Sequence, residues 1–138
     1  MGRNTGKDSE ASFRELFRSY GKDAFLHRLT DASDIYGMTG EAANADSQPS
    51  DFIVVCRGQT YFAEVKSTQN KTSFPFSLLR PTQSAHALQI TKAGGGYQIF
   101  VLSIALGKWF VVPYDTIQVV KAQGRASLKW GEMNCWTL

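Results

Sequence analysis

Two β-rich runs joined by a three-residue break constrain this chain more than anything else in it. Phe52-Ile53-Val54-Val55-Cys56 and Thr60-Tyr61-Phe62-Ala63-Glu64-Val65-Lys66 are rich in β-branched and aromatic residues, and Arg57-Gly58-Gln59 between them places a glycine where a hairpin bends. Strand side chains alternate between faces, so Glu64 and Lys66 share one. A type II′ turn takes glycine at its first central position; with Gly58-Gln59 at the centre, Arg57 pairs with Thr60 and Asp51 falls opposite Lys66. Glu64 is then the diagonal neighbour of Asp51 on the same face, roughly 7–8 Å away at the backbone. A three-residue loop would turn Asp51 to the other face, because a slip of one residue exchanges the faces.

Two carboxylates that close repel each other unless a cation lies between them. With the Lys66 amine one strand step from Glu64, the set is the minimum needed for metal-assisted phosphodiester hydrolysis. An acid-x-Lys strand alone also reads as an ordinary solvated sheet face. Asp51 at matching parity, with Glu10 on a helix, argues for the site.

Around this hairpin the chain reads as helix, three strands, helix, two strands. Met1 to Lys7 is a polar lead-in expected to be mobile. A helix follows from about Asp8 or Ser9 to Tyr20, with Phe13, Leu16, Phe17 and Tyr20 at helical spacing and Gly21 as its stop. Glu10 flanks that apolar stripe, whereas Glu15 projects from nearly the opposite side. Glu10 also reads as a first-turn acid stabilised by the helix dipole. Ala24 to Leu29 is a short strand, Asp31 to Ser50 a long loop beside the site, and Asn70 to Ser77 another loop. Pro81 to Ala93 is a helix opened by proline and closed by Gly94-Gly95-Gly96; Tyr97 to Ile104 and Lys108 to Val112 form a second strand pair. The triple glycine follows a helix and precedes a strand, the reverse of a phosphate-binding loop. Asp115 can cap a short helix to about Ala122, and the tail from Ser127 to Leu138, with Trp130 and Trp136, has no clear assignment.

The 138 residues, 43% of them hydrophobic, make one domain, enough to bury roughly two-thirds of the unfolded surface. Fifteen Lys and Arg against twelve Asp and Glu give a net charge of +3; gathering acids into one site leaves the remaining surface more basic, which favours a polyanionic partner. Cys56 and Cys135 show no motif spacing, and no secretory signal or membrane-spanning run is present. Reduced thiols and a cytoplasmic setting are expected, in a bacterial or phage-infected cell. His27 and His86 lack partners at ligand spacing.

Gly6-x-x-x-Glu10, Pro49-Ser50-Asp51 and Glu64-Val65-Lys66 resemble the PD-(D/E)XK nuclease superfamily, which implies a restriction-endonuclease-like α/β core with a mixed central sheet flanked by helices. Asn70-Lys71-Thr72-Ser73-Phe74-Pro75, with Gln83 eight residues after the proline at a helix start, resembles the RecU-type Holliday junction resolvases. The Asp51 to Glu64 spacing is similar to both RecU and the archaeal Hjc resolvases. The resemblance spans about Gly6 to Pro113 and leaves the Trp-containing tail outside it. It implies a homodimeric, magnesium-dependent endonuclease that cuts four-way DNA junctions. The stalk of RecU has no counterpart here beyond the loop around Gly37 to Ser50, and the small size suggests a minimal or phage-type version.

On this reading Asp51, Glu64 and the Val65 carbonyl hold Mg²⁺, which Mn²⁺ can replace, and Glu10 serves a second metal or an ordered water. Lys66 orients the attacking water, and Gln83 supports the acids. Lys71, Thr72, Ser73 and Arg80 contact DNA phosphates. Two cuts need two active centres, so a two-fold dimer is expected, with the Trp109-Phe110 region as a candidate interface. A sequence-specific restriction-type or repair nuclease and a non-catalytic DNA-binding module are the competing functions.

Overall fold

A computed structural model describes residues 5–29 and 48–136. The first four residues of the lead-in, residues 30–47 of the long loop and the last two residues of the tail lie outside the described residues. Strands β2 (Phe52–Cys56) and β3 (Gln59–Thr68) form the expected hairpin. Its central residues are Arg57 and Gly58, with φ of 56° and 75°, the type I′ combination. The register therefore departs from expectation by two residues: Cys56 pairs with Gln59, and Phe52 with Ala63. A I′ turn matches the right-handed twist of its strands. Arg57 occupies the left-handed region with its guanidinium over the rings of Tyr20 and Trp136, at 5.2 and 4.6 Å. The loop remains even in length, so the parity holds. One further step along the ladder sets Asp51 opposite Glu64 rather than Lys66.

Helix α1 (Thr5–Leu16) precedes β1 (Ala24–Arg28). The helix begins at Thr5, inside the expected lead-in, and ends at Leu16, before its apolar spacing runs out at Tyr20. From Phe17 the chain tightens into i→i+3 bonds, Phe17 to Arg14 and Tyr20 to Phe17, and Gly21 at φ 55° breaks the turn. After β3 come β4 (Ser73–Pro75), α2 (Pro81–Lys92), β5 (Tyr97–Ser103), β6 (Lys108–Pro113), α3 (Tyr114–Ala122), β7 (Ser127–Lys129) and β8 (Asn134–Cys135). The main sheet runs β1-β2-β3-β5-β6-β8, with β3 and β5 parallel and the other neighbours antiparallel. It is a mixed sheet. The parallel pair requires a crossover, which β4 and α2 supply.

Two cores follow from the alternation of β3. Tyr61, Ala63 and Val65 pack with Phe13 of α1, with Phe17 just after it, and with Phe52, Val54 and Phe100. On the other face Ile99, Val101 and Phe110 pack with Ala87 of α2 and Ile117 of α3. At Gly96 a Cβ would lie 2.9 Å from the Tyr61 Cβ, so the start of β5 can approach β3 only as glycine.

The expected loop at Asn70 to Ser77 contains β4, and the unassigned tail contains β7 and β8. Ser73 pairs with Lys129 and Pro75 with Ser127, a match between segments too distant in sequence for local patterning to show. Trp130 is buried and stacks on Phe110 at 4.9 Å, while Trp136 packs against Phe17 and Phe100, each at 5.2 Å. The Trp109-Phe110 stretch is consequently not a free surface: Phe110 lies in the core, and Trp109 meets Phe13. No helix among the described residues is long and apolar enough to cross a membrane.

Candidate active site

Asp51 immediately precedes β2, where the Ser50 hydroxyl donates to the Phe52 carbonyl (2.8 Å) and the Leu29 N–H to the Asp51 carbonyl (2.8 Å). The Asp51 carboxylate accepts the Val65 N–H at 2.8 Å, so the acid is fastened to the strand that carries Glu64. Glu64 is 2% exposed. Its Oε2 accepts the Gln83 amide N–H at 2.6 Å and lies 3.6 Å from the Lys66 ammonium. Gln83 works in two directions, since its side-chain carbonyl accepts the Arg80 N–H (2.9 Å) at the start of α2. Asp51, Glu64, Lys66 and Gln83 are therefore brought together.

The electrostatics follow from that enclosure. Burial raises the Glu64 pKa to about 8, helped by the negative charge of Asp51 and opposed by Lys66 and Arg80. Burial also raises Asp51, while the Val65 N–H pulls it down and the charge of Glu10 pushes it up again. A buried acid facing a half-buried one needs a shared proton or a cation.

Glu10 is placed by α1 as expected, half-buried, whereas Glu15 is exposed and pairs with Arg18. The Glu10 carboxylate accepts from Arg28 Nε at 2.8 Å. This arginine is invisible to sequence reasoning, because a lone basic residue at a strand end carries no signal. Tyr97 is equally silent in the sequence, and its hydroxyl donates to the Pro49 carbonyl at 2.6 Å, bracing the turn before Asp51.

Among the described residues no three His, Cys, Asp or Glu side chains gather closely enough to hold a metal. The side-chain donors on offer are the two carboxylates of Asp51 and Glu64. That set fits Mg²⁺, which is commonly held by one or two carboxylates and completes its shell with waters and substrate phosphate. Val65 bonds Asp51 through its N–H, and the N–H and C=O of one residue leave a strand on the same side. Its carbonyl is thus directed toward the acids.

The expected phosphate contacts lie on the way out of β3. Lys71 and Thr72 are exposed. The Asn70 side-chain carbonyl accepts the Thr72 N–H (3.0 Å), the Thr72 hydroxyl (3.2 Å) and the Ser73 N–H (3.0 Å), giving the loop a fixed shape. Trp130 braces it from the tail: its indole N–H donates to the Asn70 carbonyl (3.1 Å) and its backbone N–H to that of Thr72 (3.1 Å). Arg80, exposed, stands at the start of α2 beside Gln83.

Residues 29–135 match the family described as Recombination protein U. The matched span takes in Asp51, Glu64, Lys66, Gln83 and the Asn70 loop, starts after Glu10, and extends through the tail to Cys135. No curated protein matches the chain. Among solved structures, Hjc of Archaeoglobus fulgidus, described as a Holliday junction resolvase from an archaeal hyperthermophile, is 12% identical over 77% of each chain, with a TM-score of 0.49.

Proposed function

The chain belongs to the RecU family of Holliday junction resolvases, and on that premise we propose that Asp51, Glu64 and Lys66 cut DNA by Mg²⁺-dependent hydrolysis at four-way junctions. The observation that carries the reading is the buried Glu64 beside the half-buried Asp51, with the Lys66 amine 3.6 Å from Glu64 Oε2. Asp51, Glu64 and the Val65 carbonyl would hold the ion, with Mn²⁺ able to replace it, and its chemistry there is to polarise the scissile phosphate and acidify water.

The protein's own groups do the rest. Lys66 orients the attacking water and offsets the charge that develops on the phosphate; as a point charge on a flexible stem it is poorly replaced by arginine. Gln83 fixes the rotamer of Glu64 through its 2.6 Å bond. Glu10, paired with Arg28, serves a second metal or an ordered water near Asp51. Lys71, Thr72, Ser73 and Arg80 take phosphates and position the strand without reading its sequence.

Separating a junction into two duplexes requires two symmetric nicks, so the active unit is a homodimer. Phe25 and Val55, paired across β1 and β2 and 59% and 38% exposed, give the sheet face shared with Asp51 an apolar patch for that contact. The deciding experiment presents an immobile four-way junction, a flap, a nicked duplex and a linear duplex, each with Mg²⁺ or chelator, while light scattering reports the mass of the free protein. Paired nicks confined to the junction, Mg²⁺-dependent and from a dimer, are expected. Linear duplex cut as readily as junction would move the assignment to a restriction-type or repair nuclease. No cleavage of any substrate would leave a DNA-binding module.

A further inference from the structure

Away from the acids, β4, β7, α2 and the end of α3 enclose an open groove of about 780 Å³. Its lining includes Ser73, Ser77, Ser84, Ser127, Lys121 and Arg125 and, among the described residues, contains no aspartate or glutamate. The floor is one face of the β4–β7 ribbon. Directly paired residues of an antiparallel ribbon share a face, so Ser73 and Pro75 lie on the same side as their partners Lys129 and Ser127. Ser73, Pro75 and Ser127 line the groove, and Lys129, paired with Ser73, lies on the same side of the ribbon just beyond that lining. Lys121, in the last turn of α3, enters from one wall. Pro81 and Ser84, in the first turn of α2, form the other.

Glu132, which follows β7, is already engaged. Glu132 holds Arg125 through both carboxylate oxygens (3.0 and 2.5 Å) and accepts the Lys129 backbone N–H at 2.8 Å. Arg125 thereby serves as a brace for the tail. Lys121 and Lys129 are exposed, and neither enters an ion pair among the described residues. Two lysines over a floor and wall of serine hydroxyls make a surface complementary to a run of phosphates. Ser73 and Asn70 belong both to this groove and to the loop leaving the catalytic strand, which makes the surface continuous with the cleavage site.

We propose that this groove is a second DNA-backbone track, which takes the phosphates of an arm of the branched substrate on Lys121 and Lys129 while the acids work on the scissile strand. The proposal rests on the nuclease reading for its choice of partner, but its test needs no cleavage. Binding of an immobile four-way junction to the full chain carrying Asp51→Asn, in chelator, is titrated with salt for Lys121→Ala, Lys129→Ala and the double variant. Removing one phosphate-neutralising lysine should reduce the salt slope by about 0.9 and weaken binding roughly fivefold at about 0.15 M salt, hence roughly 25- to 30-fold for the pair.

Lys92→Ala, at the opposite end of α2 from Pro81, reports the effect of a general loss of charge and should change little. Lys121→Arg with Lys129→Arg should restore the slope, and phosphate-ethylation interference should show protected phosphates away from the cut site that disappear in the double alanine variant. A double variant indistinguishable from Lys92→Ala, or one whose ethylation pattern is unchanged, overturns the track. Normal junction cleavage together with that result would leave the nuclease assignment standing, whereas a wild-type protein that cuts nothing yet shows the predicted slopes would reject the nuclease and keep the track.

Discussion

Replacing Glu64 by glutamine tests the metal site without relying on activity. Glutamine keeps the shape, accepts the Gln83 amide and donates to Asp51, but it cannot ionise. In the wild-type protein the Glu64 carboxyl titrates near 8 rather than its ordinary 4.5. Between those values the folded protein holds a proton that the unfolded chain has released, so stability falls as pH rises through the window. Integrated to about pH 8, the shift costs the metal-free protein about 4 kcal/mol, whereas near pH 4 it costs almost nothing. For a chain of this size that is roughly 10–15 °C in Tm.

Calorimetry in chelator should therefore show Glu64→Gln melting well above wild type at about pH 8 and level with it near pH 4. Mg²⁺ at a hundred times its Kd adds about 2.7 kcal/mol to a protein that binds it. It should close more than half of the gap for wild type and move the variant little, and the variant should not cut DNA. If the metal-free wild-type Tm does not fall relative to the variant between about pH 5 and about pH 8, the pair of Asp51 and buried Glu64 is not the centre of charge described here.

Lys66→Ala should lower kcat on a junction by about a hundredfold or more while changing affinity little, the scale of one electrostatic stabiliser; single-turnover kinetics separate the two, and a loss confined to binding would make Lys66 a phosphate contact only. Trp130→Phe keeps the ring stacked on Phe110 but deletes the indole donor to Asn70. It should cost about 1 kcal/mol of stability and raise KM for DNA with kcat retained, an outcome that unchanged KM would refute.

The parts of the molecule set by local pattern were readable in the sequence. Phe13 and Phe17 mark the buried stripe of α1 and the turn that follows it, the alternation of Tyr61 to Lys66 marks β3, and Pro81 and the glycine triplet bracket α2. The grouping of Asp51, Glu64 and Lys66 followed from parity and spacing, whereas Gln83 entered only through the family resemblance. What was not readable depends on distant partners. Turn type at Arg57 hinges on the rings of Tyr20 and Trp136 that accompany its positive φ, and the two-residue difference in register came from there. The pairing of Ser73 with Lys129 and the Glu10–Arg28 ion pair join segments far apart in sequence, and neither leaves a periodic trace.

The indole of Trp130 reaches back 60 residues to brace the Asn70 carbonyl. Synthesis proceeds in the other direction, so the catalytic strands emerge from the ribosome long before the residue that steadies the loop beside them. A chain synthesised only as far as α2 carries both acids and the lysine while that loop still lacks its brace. The brace arrives only with β7 and the turn that follows it, so the shape of this loop is set by the last strands of the fold to be made.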